Sequence, residues 1–397
     1  MTVPDVAWPL DGGKRLRVES VVRAVAARAD VDIAVLFADG DPAVRPLPPD
    51  VTVQRWAFQP AVQRPLLRSA WTATRHLVPW QVAAAPWGAV EDLLGRWEGP
   101  WDLVWFGALD HAARLHRVVQ SRHTVVDCDD VETDKWRGFL AGSGVGAVSV
   151  VDRLQRRIEL PLWDRLQRSA LRRADVVLVC SELDRTRLLR DSGPGRIAVV
   201  PNTYPGPATV LERDPLGVCT LVMIANYGTD QNVDGARWAA TEVLPAMRER
   251  VPGLRLRLVG RRQDRLADLP QVEGLDIVGP VDDVAAELRG AHAVLVPLRF
   301  GGGTRLKVLE ALAYGVPVVS TRLGAEGLDV VDGEHVLLAD SPADLADAVL
   351  RLHSEPPLGD RLSVAGRRLY EDCFQPQATG RAVGQILDEL VPERVLD

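Results

Sequence analysis

Short apolar runs rich in branched side chains recur along the chain and alternate with segments of helical periodicity. The clearest runs have the length of a strand, and they occupy residues 101–106, 174–180, 197–200, 220–225, 254–259 and 291–298. Runs of this kind are typical of strands that are buried on both faces of a parallel sheet. The pattern therefore predicts an α/β chain in which helices cover both faces of the sheets.

Residues 301–321, GGGTRLKVLEALAYGVPVVST, place a glycine turn, a helix and a strand directly after one of these runs. From Thr304 the apolar positions follow helical spacing, and Gly315 followed by Pro317 predicts where the helix ends. A buried strand over 316–320 completes a strand–helix–strand unit, whose crossover should be right-handed.

The glycine turn before this helix has the composition of an anion-binding loop. Backbone N–H groups can approach a phosphate closely where there is no Cβ, and the helix dipole adds partial positive charge. A carboxylate on the first helical turns suits ribose hydroxyls better than phosphate. A flexible turn with two solvated cations is the alternative, because short glycine motifs also match by chance, and the spacing fits neither a Walker loop nor a dinucleotide fingerprint. We predict a nucleotide site made by Gly302, Gly303, Thr304, Arg305, Lys307 and Glu310.

The run from Gly301 to Leu328, with the segment VVDGEHVLLAD after it, resembles the donor-binding half of glycosyltransferase family four. Similarity in the same order extends to WPLDGGKRLRV, VVDCDDVETDKW, ADVVLVCSELD, IAVVPN, TLVMIANYGTDQNVDGARW, LRLVGR and VGPVDDV. The resemblance implies a GT-B fold, with two Rossmann-like domains that face each other across a cleft. It also implies sugar transfer from a nucleoside diphosphate with retention at the anomeric carbon. The similarity is greatest to the bacterial branch linked to surface polysaccharide and natural-product glycosylation.

The resemblance also implies site residues in the first half of the chain. A glycine loop near the N-terminus faces the diphosphate in this family, which points to Gly12 and Gly13. Many members have a histidine close to the transferred sugar; the pair Asp129 and Asp130 takes the comparable place here, with His111 as a further catalytic candidate. A carboxylate there can accept a proton from the acceptor hydroxyl or orient the donor sugar. Helix caps and surface turns are the alternative for each of these residues.

Two departures from the family pattern affect the donor side. The wider family has two glutamates eight positions apart; Glu310 matches the second, whereas Gly302 stands at the first. The arginine and lysine that usually follow the first strand of the second domain are also missing. Arg261, Arg305 and Lys307 are therefore expected to neutralise the diphosphate.

Composition restricts the class of protein. With 397 residues, 47% of them hydrophobic and 25% charged, the chain is long enough for two domains with their own cores. A net charge of −7 argues against nucleic acid as the main partner. The four cysteines are far apart and the histidines lack ligand spacing, so neither a disulfide framework nor a metal site is predicted. The N-terminus lacks the pattern of a secretory signal and no apolar run has the length of a bilayer span, which predicts a cytoplasmic location.

Residues 137–173 contain eight arginines against three acidic residues, and we predict one or two long helices here, broken or bent at Pro161. This surface predicts peripheral contact with anionic lipid or with a lipid-linked acceptor, and a solvated helix face is the alternative.

Residues 41–101 contain six tryptophans, which suit stacking on an acceptor as well as packing in a core.

The sequence therefore predicts four parts: an acceptor-binding domain over 1–200, a proline-rich linker over 201–215, a nucleotide-sugar-binding domain over 216–374, and a helix over 375–397 that crosses back to the first domain. The expected function is that of a retaining hexosyltransferase that requires no metal. Its donor is a nucleotide sugar, and its acceptor is a glycan, a lipid-linked sugar or a natural-product aglycone. A catalytically silent nucleotide-sugar-binding or helper protein stays open as an alternative, as does a nucleotide-sugar epimerase.

Overall fold

The computed structural model describes residues 1–5, 13–38, 47–48, 50–60, 77–97, 99–141, 150–192, 195–212, 217–302 and 305–392. These residues form two compact units. The first consists of the described residues of Met1–Leu140, Val151–Thr203 and Pro376–Asp397, and the second of those of Ala141–Val150 and Tyr204–Gln375.

The first unit is built on a parallel sheet with the strand order β3-β2-β1-β4-β5-β6-β7. Its strands are β1 (Thr2–Val3), β2 (Asp32–Ala38), β3 (Arg55–Pro60), β4 (Trp101–Phe106), β5 (Ser121–Asp127), β6 (Val176–Val179) and β7 (Ile197–Val199). Its helices are α1 (Gly13–Ala26), α2 (Trp80–Ala84), α3 (Trp87–Leu94), α4 (Leu109–Leu115), α5 (Glu132–Ala141), α6 (Val150–Arg173), α7 (Glu182–Ser192) and α14 (Pro376–Leu390).

Alternate side chains of the central strands enter two separate cores. Ile33 and Val35 of β2 pack in the core under α1 and α14, whereas Ala34 and Leu36 pack in the core under the helices on the other face. Strands buried on both faces have no polar alternation, which is why they appear in the sequence as continuous apolar runs.

The order in which successive strands are added to the sheet reverses between β1 and β4. These two strands pair in parallel at Thr2 and Phe106. The backbone is tight here: Gly107 donates its N–H to Thr2 O at 2.7 Å, and a Cβ on Gly107 would lie 2.5 Å from that same oxygen. Such a switch point opens a crevice at the carboxyl ends of the strands, where α/β proteins bind ligands.

The second unit repeats this plan with a parallel sheet in the order β10-β9-β8-β11-β12-β13, so its switch point lies between β8 and β11. The strands are β8 (Thr220–Ile224), β9 (Arg255–Val259), β10 (Leu275–Gly279), β11 (Ala293–Val296), β12 (Val318–Ser320) and β13 (Leu337–Leu338). The helices are α8 (Asp230–Trp238), α9 (Leu244–Arg250), α10 (Val284–Arg289), α11 (Leu306–Tyr314), α12 (Pro342–Ser354) and α13 (Pro356–Cys373), with a π-helical turn at Ala239–Val243 and 3₁₀ turns at Gln263–Leu266 and Leu323–Ala325.

The strand–helix–strand unit at residues 293–320 has the form that its sequence predicts. Helix α11 ends at Gly315, which adopts the left-handed conformation at φ 71°, and β12 pairs in parallel with β11.

At a second position, a close backbone contact rather than a helix end requires glycine. Gly260 follows β9 at φ 140°, and a Cβ there would lie 1.7 Å from Ala225 O. Only glycine therefore lets the ends of β8 and β9 come this close.

Two segments show how the chain passes between the units. Residues 204–212 are bonded to the second unit, since Leu211 N–H donates to Tyr314 O at 3.1 Å and Gly206 N–H donates to Tyr370 Oη at 2.9 Å. Helix α14 packs on α1 in the first unit, where Arg28 pairs with Asp388 at 2.9 Å.

Pro161 does not break the arginine-rich segment, so of the break or bend that the sequence predicts the break is wrong. Helix α6 continues through it from Val150 to Arg173. Its inward side chains, among them Trp163 and Leu166, are buried in the core of the first unit. Packing of this face holds the helix together across the hydrogen bond that proline cannot make.

Candidate functional site

Four segments of the second unit meet at the carboxyl ends of its central strands, where the sequence predicts the nucleotide site. They are Ala225–Gly228 after β8, Gly260–Arg262 after β9, the turn at 297–302 after β11, and the start of α11. Of the predicted donor residues, Gly12, Gly303 and Thr304 lie outside the described residues, and Gly13 is the first residue of α1 in the first unit.

Arg305 holds the glycine turn in shape. Its Nη1 donates to Gly302 O at 2.6 Å, its Nη2 to Gly301 O at 3.0 Å and its Nε to Leu323 O at 3.0 Å. The side chain is buried, and Gly301 has φ 125°, which favours glycine. The sequence predicted Arg305 as a charge for the diphosphate, but these bonds turn the guanidinium toward backbone carbonyls of the loop.

Lys307 lies on the first turn of α11, and its amine is bonded to a neighbouring amide. Its Nζ donates to Asn232 Oδ1 at 2.6 Å, and Asn232 Nδ2 donates to Asn226 O at 2.8 Å. Burial lowers the pKa of Lys307 to about 7, and the charge of Arg305 acts in the same direction. An anion bound here would restore the charge of the amine.

Glu310 follows Lys307 by one helical turn and is tied to the segment that the sequence predicts as a linker. Tyr204 Oη donates to Glu310 Oε1 at 2.6 Å. Burial raises the pKa of Glu310, with the bond from Tyr204 opposing it. Burial and then the charge of Glu310 raise the pKa of Tyr204, so the phenol stays a donor. Sequence reasoning missed Tyr204, because a contact between positions 204 and 310 leaves no local pattern.

Two arginines, one after β11 and one after β9, also lie at this edge of the sheet. Arg299, in the turn after β11, pairs with buried Asp234 at 2.6 Å and stacks on Trp238 at 5.3 Å. Arg261, a predicted donor residue, follows β9, and its carbonyl accepts the Tyr227 N–H at 2.9 Å. The sequence analysis overlooked Arg299, although an arginine between an apolar run and three glycines is a signal that could have identified it.

In the first unit, a buried ion pair positions the predicted acidic cluster. Arg17 on α1 contacts both carboxylate oxygens of Asp127, at 2.8 and 3.2 Å, and donates to Val200 O at 2.5 Å. It also lies 3.3 Å from Asn202 Oδ1. Asn202 in turn donates through Nδ2 to Asp129 Oδ1 at 2.9 Å. The end of β5 and the segment after β7 are thus fixed to one guanidinium.

Asp129 and Asp130 differ in their surroundings. Cys180 Sγ lies 3.0 Å from Asp129 Oδ1, so that oxygen has two donors. Asp130 lies 3.5 Å from Lys135 Nζ, which is equally close to Glu132. Burial lowers the pKa of Lys135, but the negative charges of Glu132 and Asp130 have the larger combined effect, and the pKa of the amine is raised. Burial raises the pKa of Glu132.

His111 lies at the switch point of the first unit, in the first turn of α4. Its Nδ1 is 3.0 Å from Thr2 Oγ1, and its ring centroid is 6.0 Å from that of Trp87. Burial lowers the pKa of His111 to about 4, although Asp110 opposes the shift. The ring is therefore neutral at pH 7, and its Nδ1 faces the Thr2 hydroxyl.

Helix α6 of the first unit presents an amphipathic stripe to solvent. Leu154 is 59% exposed and Ile158 is 61% exposed. Further along the same helix face, Pro161 and three arginines are exposed: Arg165, Arg168 and Arg172. Within the part of the chain that the structure describes, no helix combines the length and apolarity that crossing a membrane requires.

Comparison with known proteins gives one matching family model, described as glycosyl transferases group 1, over residues 219–355. The chain is 29% identical over 264 residues to the GDP-mannose-dependent alpha-(1-6)-phosphatidylinositol monomannoside mannosyltransferase of Mycolicibacterium smegmatis, which covers 57% of this chain and 66% of that protein. The chain spans less than two thirds of the length of the first curated relatives it matches, from 24% to 66%.

Among the solved structures that match nearly the whole chain are a synthase and a complex with UDP and glucose. Sucrose-phosphate synthase from Thermosynechococcus elongatus has a TM-score of 0.67 at 18% identity, over 98% of this chain and 96% of its own. Anabaena HepE in complex with UDP and glucose has a TM-score of 0.65 at 14% identity, over 98% of each chain. The prediction of a GT-B fold with two Rossmann-like parallel sheets is confirmed.

Binding of a nucleoside diphosphate should depend on pH through Lys307. Its pKa is lowered to about 7, so above this pH the free protein must take up a proton to present a charged amine. We expect affinity for UDP, GDP or ADP to be level below pH 7 and to fall by up to about tenfold per unit between pH 7 and 9. The ligand itself stays ionised there, because the second phosphate pKa is about 6. Isothermal titration calorimetry across this range measures the effect.

Lys307→Arg is the matched control, since a guanidinium stays charged throughout the range. Its affinity should not vary between pH 7 and 9. An identical pH profile in the two proteins would show that another group titrates.

Proposed function

We propose that the chain is a group 1 glycosyltransferase, the family whose model matches residues 219–355, and that it transfers a sugar from a nucleoside diphosphate sugar to an acceptor hydroxyl, with retention. The observation that carries the proposal is the placement of Lys307 and Glu310 on one face of α11. Both lie beside a glycine turn at the carboxyl edge of the sheet, within the matched residues.

Each donor-side group has a distinct role in this proposal. The departing diphosphate lies against the start of α11, where Lys307 and the helix dipole stabilise its charge. Arg305 does not need to touch the phosphates, because its bonds to Gly301 and Gly302 keep the turn in the shape that receives them. Glu310 accepts hydrogen bonds from the ribose hydroxyls while Tyr204 holds its other side.

We propose that this arrangement makes the reaction independent of a divalent cation. A metal ion would neutralise charge that develops on the leaving diphosphate, and a fixed ammonium group with a helix N-terminus supplies the same stabilisation. The amine can do so because a bound diphosphate raises its pKa from the low value that burial imposes.

Replacement of Lys307 by alanine should reduce turnover of a nucleotide sugar by about a hundredfold or more, because one charge aimed at the transition state is lost. Turnover is followed as nucleoside diphosphate release with a panel of donors and acceptors, with and without EDTA. The control is Arg368→Ala, which removes an exposed cation paired at 3.9 Å with Asp372 on α13. Loss of activity in EDTA that Mg²⁺ restores would contradict metal independence.

The same panel separates the alternatives. Nucleotide binding without any turnover would support a catalytically silent protein, the reading that Gly302 at the first glutamate position keeps open. Isomerised donor without acceptor would identify an epimerase.

On the acceptor side we propose Asp130 as the carboxylate that accepts the hydroxyl proton. It is partly exposed, and Lys135 at 3.5 Å keeps a positive charge beside it. Asp129 is held by Asn202 and Cys180, which suits orientation of the sugar. His111 is buried and neutral, which suits a hydrogen-bonding role.

Asp130→Asn should lower kcat by about a hundredfold or more with little change in donor KM, because proton acceptance is lost and the shape is kept. Asp134→Asn in the first turn of α5 is the control, since Asp134 pairs with Arg137 at 3.1 Å and with Arg187 at 3.4 Å. Steady-state kinetics with saturating donor gives both constants. Equal losses in the two variants would remove the catalytic role of Asp130.

We also propose that α6 contacts an anionic bilayer surface. Its exposed stripe offers Leu154 and Ile158 to the acyl region and arginines to lipid headgroups, which is the arrangement of an interfacial helix. The proposal agrees with a lipid-linked acceptor, the class named for the mannosyltransferase relative.

Ile158→Glu should weaken binding to vesicles that contain anionic lipid by about tenfold or more, because it removes an apolar contact and adds repulsion. Val364→Glu is the matched control, since Val364 is 71% exposed on α13 in the second unit. Co-sedimentation with phosphatidylglycerol-containing and neutral vesicles measures the difference. Equal binding of wild type and Ile158→Glu would exclude α6 as the contact.

A further inference from the structure

Three side chains with metal-ligating atoms meet at the amino-terminal edge of the sheet in the second unit. Cys219 directly precedes β8, His292 directly precedes β11, and His353 lies in the last turn of α12. One ligating atom from each lies within 4.8 Å of those of the other two. The sequence predicted no metal site from these residues, because they are separated by more than sixty positions.

The sheet fixes two of the three residues. Strands β8 and β11 are neighbours and pair at Leu221 and Ala293, so the residues just before them lie side by side. His292 N–H donates to Thr220 O at 2.8 Å, and Thr220 N–H donates to Nδ1 of the same ring at 3.1 Å. Nδ1 is therefore unprotonated, which is the state in which a ring nitrogen ligates a metal.

His353 is the ligand whose side chain can move to bring the three ligating atoms to metal-binding distances. In a tetrahedral zinc site with Zn–S near 2.3 Å and Zn–N near 2.0 Å, neighbouring ligand atoms are about 3.3–3.6 Å apart. His353 is exposed on the helix surface, and its ring lies 6.2 Å from that of His292. Rotation of this side chain can bring its ring nitrogen closer to the ligand atoms of Cys219 and His292 without moving the sheet.

We propose that Cys219, His292 and His353 bind one Zn²⁺ ion, with water as the fourth ligand. One thiolate and two imidazoles are a ligand set that zinc prefers. The ion would replace Thr220 N–H as the partner of the His292 ring and would join β8, β11 and α12. The site is independent of the sugar transfer proposed above, since β8 and β11 separate it by roughly 15 Å, at 3.3 Å per residue, from the glycine turn.

The test uses the full chain after dialysis against a chelator, titrated with ZnCl₂ by calorimetry. We expect one equivalent to bind, and we expect His353→Ala to weaken binding by about tenfold or more, because loss of a ligand should exceed the effect of an outer-shell change. Cys219→Ala should abolish the thiolate-to-metal absorption that Co²⁺ gives in the same site. Cys373→Ala, which removes an exposed thiol elsewhere in this unit, should bind zinc as wild type does.

Two results would overturn the proposal: no stoichiometric Zn²⁺ binding by the wild-type chain, or equal binding by wild type and His353→Ala. The His353 variant guards against misfolding as the cause of a loss, because its side chain is exposed and Cys219 is buried. Its affinity for UDP should equal that of wild type, so failure of the zinc site and failure of the donor site give different results.

Discussion

Parallel pairing of the strands in both sheets is the constraint on which the rest of the structure depends. A parallel strand is reached only by a crossover, so helices cover both faces and all carboxyl ends lie at one edge. The edge of the sheet at which a loop lies therefore decides which side chains come close to one another. Loops after β8 and β11 carry the glycine turn and its cation, loops after β4 and β5 carry the acidic cluster, and the opposite edge of the second sheet brings Cys219 and His292 together.

A buried guanidinium shapes the loops of each unit. Arg17 joins Asp127 to the carbonyl of Val200, and Arg305 joins three carbonyls around the glycine turn. Removing one partner of a buried ion pair costs about 3–5 kcal/mol, because a charge is left without compensation. Under the proposed function these arginines need not touch a substrate: Arg17 bonds Asn202, which donates to Asp129. A buried arginine that fixes the shape of a loop can therefore be as necessary as a side chain that contacts a ligand.

The sequence predicted those features that depend on local spacing. Lys307 and Glu310 share a face because they lie one turn apart, and Gly315 with Pro317 marks a helix end that the structure has. It could not predict the direction of the Arg305 side chain, which depends on where Leu323 lies. Tyr204, placed in a predicted linker, reaches Glu310 only through tertiary structure. Of the break or bend predicted at Pro161, the break does not occur, because packing of the inner face of α6 outweighs one missing bond.

The chain has 47 basic residues, and only Lys14, Lys135 and Lys307 are lysines. An amine whose pKa lies near 7 is largely a neutral nucleophile in ordinary buffers, whereas Glu132 and Asp130 keep Lys135 protonated. Guanidinium groups do not compete for amine-directed electrophiles, so the competing amine is that of Met1, whose pKa burial also lowers, to about 6. The desolvation that lowers the pKa of Lys307 thus also makes its amine open to covalent labelling, and under the proposed function a bound nucleotide would be its protecting group.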